Sequence, residues 1–386
     1  MGPKKRSTFG AEELAIGLSH YDLGIIYSIA EFPRGSHRAP KAIVECQNGK
    51  YLFKRRQRGV EEIQKVAFTH QIQLALAEQN FPLPHLLGTC DENNSMLVFN
   101  DHIYEVQEFI QGSGFDGSAK STEQSGHALG LYHKLLENFQ GDWEPPTASY
   151  HNAKTIFESI HKAADKLPKG SGEDPPIGET ITVLANAYRK SAQEATDLGL
   201  KKWPRQIVHG DWHPGNMLFR KQMVAAVIDY DTARLHQRII DVANGALQFS
   251  ILGGGDDPRK WPRQLEVTRF QRFLRGYDSV NVITTDELRA IPFLMCEAMI
   301  AEAILPIAAA GKFHRFDGGV FLTMIRRKVE WILKHQEQLA GILDQADSDT
   351  VTAPPPPTRK KESSMNTDSL ASGLTQVVDS PPPPSE

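Results

Sequence analysis

Only three cysteines occur in 386 residues, Cys46, Cys90 and Cys296. They lie far apart, without the short spacings of a zinc site or a redox pair, which excludes a disulfide scaffold and a cysteine-built metal centre. No uninterrupted apolar run reaches the roughly 20 residues that a membrane-spanning helix needs. The basic start Gly2-Pro-Lys-Lys-Arg-Ser7 lacks a following apolar core, so no secretory leader is expected there. An excess of one charge is also missing. Lys and Arg total 43 against 47 Asp and Glu, a formal net charge of −4, which argues against a general nucleic-acid binder. There is no internal repeat. These absences leave a cytoplasmic protein with no membrane and no nucleic-acid partner as the expectation; nothing in them fixes an oligomeric state.

What is present is concentrated in one stretch. Ile207-Val-His-Gly-Asp-Trp-His-Pro-Gly-Asn-Met-Leu-Phe219 is followed, after Arg220-Lys221-Gln222, by Val224-Ala-Ala-Val-Ile-Asp-Tyr-Asp231. The apolar flanks read as strand, tight loop, strand, hairpin turn, strand, with the acids and the amide meeting at one edge of a small sheet. Asp211 and Asn216 have the D-x-x-x-x-N spacing in which the Asp takes a hydroxyl proton and the Asn holds a metal ion. Asp229 stands where a second metal-binding acid follows the next hairpin. Phosphoryl transfer asks for this equipment: a positioned nucleophile, a proton acceptor and divalent metal on the phosphates. His209 reads either as a loop-packing histidine or as a participant in the chemistry, and Asp231 either as a loop-capping acid or as a second metal or substrate contact. His213 either faces the γ-phosphate or braces the loop.

With those residues quoted, His209-Gly-Asp-Trp-His-Pro-Gly-Asn216 and Val227-Ile-Asp-Tyr-Asp231 resemble the aminoglycoside phosphotransferase, choline kinase and type II homoserine kinase group, small-molecule kinases with a protein-kinase-like fold. The resemblance spans roughly residues 20 to 340 and is sharp only in the central motif. It implies an α+β bilobal fold: a small N-lobe with an antiparallel sheet and one long helix (1–110), then a mainly helical C-lobe with a short catalytic β-hairpin (111–344). It implies ATP and Mg²⁺, with Asp211 as catalytic base, His213 near the phosphates, and Asn216 and Asp229 as metal ligands. The acceptor would be a hydroxyl of a small molecule such as an amino alcohol, homoserine, a sugar or an aminoglycoside.

In the N-lobe, Lys41–Cys46 and Tyr51–Arg56 alternate as strands around a Gln47-Asn-Gly-Lys50 turn. Lys54 is the candidate for the phosphate-facing lysine, and Arg56 shares its face. Ser36 and the amides near Gly35 are candidates for phosphate contact, although a single glycine stands where such loops often have three. The helix over 59–80 carries an apolar stripe at Ile63, Val66, Ala67, His70, Leu74 and Ala77. Thr69 and His70 occupy the place where the resemblance calls for an acid paired with Lys54; Glu61 and Glu62 lie about two turns early. The backbone at Glu108, Phe109 and Ile110 would read the adenine edge.

Helices are expected over 124–139, 151–167, 178–198, 265–277, 286–310 and 318–343, with Asp241 as the N-cap of another, where the resemblance implies that it also steadies the catalytic loop. Glu297 and Glu302 read as a solvated face, with a cationic acceptor as their alternative use. Residues 345–386 are rich in Pro and Ser and lack core-forming side chains, which predicts a disordered tail; its Pro-Pro-Pro-Pro runs make an SH3-type partner the alternative to an inert role. Competing functions are a Ser/Thr protein kinase, a metal-dependent hydrolase using His209, Asp211 and His213, and an inactive nucleotide-binding protein. The lack of an Ala-Pro-Glu segment after Asp229 favours the small-molecule kinase.

Overall fold

A computed structural model describes residues 6–56, 62–167 and 176–344. The predicted tail over 345–386, its proline runs and Glu61 lie outside the described residues. Along the chain run α1 (Ala11–Ser19), β1 (Ile26–Glu31), β2 (Lys41–Cys46), β3 (Gly49–Arg55), α2 (Ile63–Glu78), β4 (Leu97–Phe99), β5 (His102–Glu108) and α3 (Ala119–Leu135). There follow α4 (Lys154–Lys166), α5 (Ile177–Asp197), β6 (Arg205–Val208), β7 (Met217–Arg220), β8 (Met223–Val227), β9 (Arg234–Gln237) and α6 (Arg238–Ser250). Last come α7 (Val267–Asp278), α8 (Thr285–Ala310), β10 (Lys312–Phe313), β11 (Phe316–Asp317), α9 (Gly318–Lys334) and α10 (Gln336–Ala340). The fold is the expected mixture of an antiparallel sheet with a helical remainder.

Two compact units divide the chain. The first joins Met1–Gly114, Asn138–Pro145 and Met217–Ala233, so the β7–β8 hairpin groups with the N-terminal sheet. Its five strands run in the order β1-β2-β3-β5-β4, and every pair is antiparallel. Alternation builds its core: Ala42, Val44 and Cys46 of β2 point inward, and Phe53 stacks on Tyr104 with ring centroids 5.5 Å apart. Helix α1 is stapled to that sheet through Glu13, which accepts from the Gly10 N–H, the Tyr104 hydroxyl and Arg55. On α2 the buried side is Val66, Phe68, Thr69, His70, Ile72, Gln73 and Leu76. The expected stripe is therefore partly wrong, since Ile63 and Leu74 are exposed. The burial of polar Thr69, His70 and Gln73 on that side hides it from a hydrophobicity pattern.

The second unit, Phe115–Glu137, Pro146–Asn216 and Arg234–Glu386, is built on α8. That helix begins in a Thr284/Glu287 capping box and ends at Gly311 in the left-handed region. Its length and apolarity would suffice to cross a membrane, contrary to the sequence expectation, but 72% of its most apolar window is buried inside the protein. Helices α3 and α7 approach through Gly126 and Gly276. A Cβ on either would lie 1.9 Å from a carbonyl oxygen of the other helix, so only glycine permits the contact.

The three strands around the central motif do not form one sheet. Strand β6 pairs with β9, and β7 pairs with β8, as two separate ribbons. The sequence shows where strands begin and end, but not which of several short neighbours each will choose. The β7–β8 turn places Lys221 and Gln222 at φ 48° and 66°, the double left-handed geometry of a tight hairpin.

Candidate active site

Asp211, His213 and Asn216 lie together in the second unit. Asp211 is 5% exposed, and its Oδ2 accepts from the Asn216 Nδ2 at 3.1 Å. The same Nδ2 donates to the Asp211 carbonyl at 3.0 Å, which locks the pair across the one turn of 3₁₀ helix at Pro214–Asn216. His213 Nδ1 accepts from the Gly215 N–H at 2.9 Å, so the other ring nitrogen carries the proton and faces Asp211 Oδ2 at 3.4 Å. His213 thus braces the acid in this structure. Among the described residues nothing donates to Asp211 Oδ1. Asn216 likewise spends its amide nitrogen on Asp211 and keeps its carbonyl oxygen, a hard donor of the kind Mg²⁺ takes. His209 packs edge-on against Trp212 and accepts the Asp211 N–H through Nδ1.

Asp241 steadies this loop, as the resemblance implies, but not from the N-cap of α6. The N-cap of α6 is Gln237; Asp241 sits in the first turn, where its two oxygens accept the N–H groups of His209 and Gly210 at 2.6 and 2.9 Å. It is 1% exposed. Burial disfavours its charge, yet His133 at 3.4 Å, His209 and the Gly210 N–H together hold its pKa below the usual range. An ionised acid clamped on the loop backbone fixes where Asp211 points.

Glu297 and Glu302 do not form the expected solvated face: the first is buried and the second half-buried. Glu297, fully buried, accepts from His151 Nδ1 and the Asn152 N–H, both at 2.9 Å. Glu302 takes a hydrogen bond of 2.8 Å from Gln248 Nε2. Burial, and then the charge of Asp211, push its pKa up to about 8 against that bond. Helix α8 is surrounded, so its polar positions do not form a solvent stripe that periodicity could reveal. In the folded protein Glu302 keeps its proton up to about 8, whereas the unfolded chain loses it near the ordinary 4.5. Stability is therefore drained as pH rises through that window. Glu302→Gln is expected to melt progressively higher than wild type from pH 5 to pH 8; melting curves whose difference is flat with pH would contradict this.

The first unit holds the remaining candidates. Lys54 is opposite Glu105 of β5 in the strand register, with Nζ 2.9 Å from Oε1. Its acid therefore comes from a strand, and the helix contributes His70, whose Nε2 lies 3.0 Å from Glu105 Oε2 while Nδ1 contacts Ser95 Oγ at 2.8 Å. Arg56 donates to Glu105 at 3.0 Å and to Asp231 at 2.8 Å, and Lys54 is 3.9 Å from Asp231. Burial works to discharge Lys54, but Glu105 and Asp231 outweigh it and hold its pKa above the ordinary lysine value. Asp231 is thus an ion-pair partner. Asp229 adopts φ 68°, a left-handed conformation that costs energy for a residue other than glycine and recurs at functional positions. Its carboxylate, too, is a hard oxygen donor suited to Mg²⁺.

Other expected contacts are only partly open. The Glu108 N–H already donates to the His85 carbonyl, and the Phe109 N–H to the Lys50 carbonyl, both at 2.9 Å. Of the three proposed adenine-reading amides, Ile110 is the one with no such bond among the described residues. Ser36 Oγ accepts from the Arg38 N–H within its own turn at 3.2 Å.

An acid locked to an amide, a lysine paired with a strand acid, and an antiparallel sheet preceding a helical unit are the features of a kinase-like small-molecule phosphotransferase. The sequence profile of the phosphotransferase enzyme family matches residues 28–291, and the chain belongs to that family. A homoserine kinase of Phenylobacterium zucineum (strain HLK1) is 21% identical over 294 residues, covering 73% of this chain and 80% of that protein. An aminoglycoside phosphotransferase from Alicyclobacillus acidocaldarius shares the fold with a TM-score of 0.63 at 16% identity, covering 89% of this chain and 98% of its own. An amicoumacin kinase in complex with AMP-PNP and Ca²⁺ gives 0.62 at 13%, covering 83% and 93%.

Proposed function

We propose that this protein transfers the γ-phosphate of ATP to a hydroxyl of a small molecule, an amino alcohol, a homoserine-like compound, a sugar or an aminoglycoside. The observation that carries the reading is Asp211, with one oxygen held by Asn216 and His213 and the other left to accept. In this scheme Asp211 orients the acceptor hydroxyl and takes its proton as the oxygen attacks the γ-phosphorus, and ADP leaves with the bridging oxygen. Lys54, fixed by Glu105, neutralises phosphate charge, and the chain near Ile110 meets the adenine. Asn216 and Asp229 would hold Mg²⁺, which when bound supplies charge neutralisation on the phosphates.

A coupled ADP-release screen of amino alcohols, homoserine, sugars and aminoglycosides tests the reading; no acceptor-dependent ADP release from any class would refute it. Asp229→Ala is expected to abolish the Mg²⁺-dependent part of nucleotide binding. Calorimetric titration of nucleotide with and without Mg²⁺ checks this, and equal Mg²⁺ dependence in variant and wild type would remove Asp229 from the role.

A further inference from the structure

Lys41 is an unused cation in an unusual place. It opens β2 directly opposite Lys54 in the β2–β3 register, so the two side chains rise from the same face of the sheet. Like charges facing each other across strands are destabilising unless something compensates both. Lys54 has Glu105 and Asp231. Lys41, half-buried, makes no ion pair or side-chain hydrogen bond among the described residues. Its ammonium lies against the preceding turn, 2.9 Å from where a Cβ on Gly35 would stand, and Gly35 has φ 78°. The glycine is what leaves room for the ammonium under the turn. Burial and the neighbouring Lys54 pull the Lys41 pKa below the ordinary lysine value, against weaker opposing contributions from Asp229, Glu105 and Asp231. A folded protein that keeps such a cation without a partner has an anion missing.

We propose that Lys41 is a second phosphate-binding cation, which joins Lys54 on the polyphosphate of the nucleotide beneath the Gly35 turn. The inference rests on the nucleotide reading above and adds to it a residue on β2. A polyphosphate carries enough negative charge to compensate two lysines at once, which a single carboxylate does not. Charge-assisted bonds of this kind are among the stronger ones available to a site.

Calorimetric titrations of Mg·AMP-PNP and of adenosine into wild type, Lys41→Met, Lys41→Arg and Lys54→Met form the test. Lys41→Met is expected to bind Mg·AMP-PNP about tenfold more weakly while adenosine affinity stays within about twofold, and Lys41→Arg is expected to recover most of the loss. The melting temperature of ligand-free Lys41→Met should match or exceed wild type, because a like-charge contact is removed. Unchanged Mg·AMP-PNP affinity in Lys41→Met overturns the proposal, as does equal weakening of both ligands, the mark of a structural lysine. If Lys54→Met discriminates between the two ligands and Lys41→Met does not, Lys41 alone is excluded. If wild type prefers Mg·AMP-PNP no more than adenosine, the nucleotide reading fails and the Lys41 assignment with it.

Discussion

Asp211→Asn is expected to lower turnover by roughly 10²–10⁴ with nucleotide binding largely kept, the range for loss of a general base. The substitution preserves shape and burial, so its effect isolates the proton acceptor. In the wild type, Oδ2 is occupied by Asn216 and His213, and only Oδ1 is left for the incoming hydroxyl. An amide at 211 must present its carbonyl oxygen to those two donors, which turns its NH₂ toward the acceptor, where a hydroxyl now finds a donor and no base. Single-turnover rates with an acceptor from the screen, alongside calorimetry with Mg·AMP-PNP, separate the two effects. Turnover near wild type would release Asp211 from the chemistry. His213→Gln is a useful companion because it removes the brace and leaves the carboxylate.

Glu105→Ala should remove about 3–5 kcal/mol of unfolding free energy, the usual consequence of deleting one member of a buried ionic cluster. Its side chain is 4% exposed and meets Lys54, Arg56 and His70 at 2.9–3.0 Å, so its loss leaves two largely buried cations to share Asp231 alone. Burial alone would raise its pKa, but Arg56, Lys54 and His70 hold it well below 4.5. The stabilisation is therefore complete above the ordinary carboxylate value and disappears as pH falls through the depressed one. Urea unfolding at pH 7 measures the difference; a change below about 1 kcal/mol would show that the cluster is solvated and its members independent. The same experiment at pH 3–4 should narrow the gap between variant and wild type.

How much of this was visible in the sequence depends on how local each feature is. Asp211, His213 and Asn216 are bound together within five residues, so their spacing along the chain nearly fixes their geometry. The turn at Arg220-Lys221-Gln222 belongs to the same short-range class, as do the strand boundaries around it. The resemblance added the sheet-then-helices order, and the fold agrees with it.

The partner of Lys54 was decided elsewhere. The resemblance places that acid on the helix, where separation is readable, but the acid sits 51 residues on, placed by the β3–β5 register, and a helix histidine takes its far side. Register is chosen by the packing of whole faces, and no single pair announces it. Lys41 facing Lys54 has this character, and so does Glu302 within reach of the Asp211 charge. Composition and spacing determined by themselves that the chain carries an acid–amide pair on a tight loop and a lysine-bearing strand. Only tertiary structure settled which buried charges face one another, because the energy of a buried charge depends on its surroundings in space and hardly at all on its neighbours in the chain.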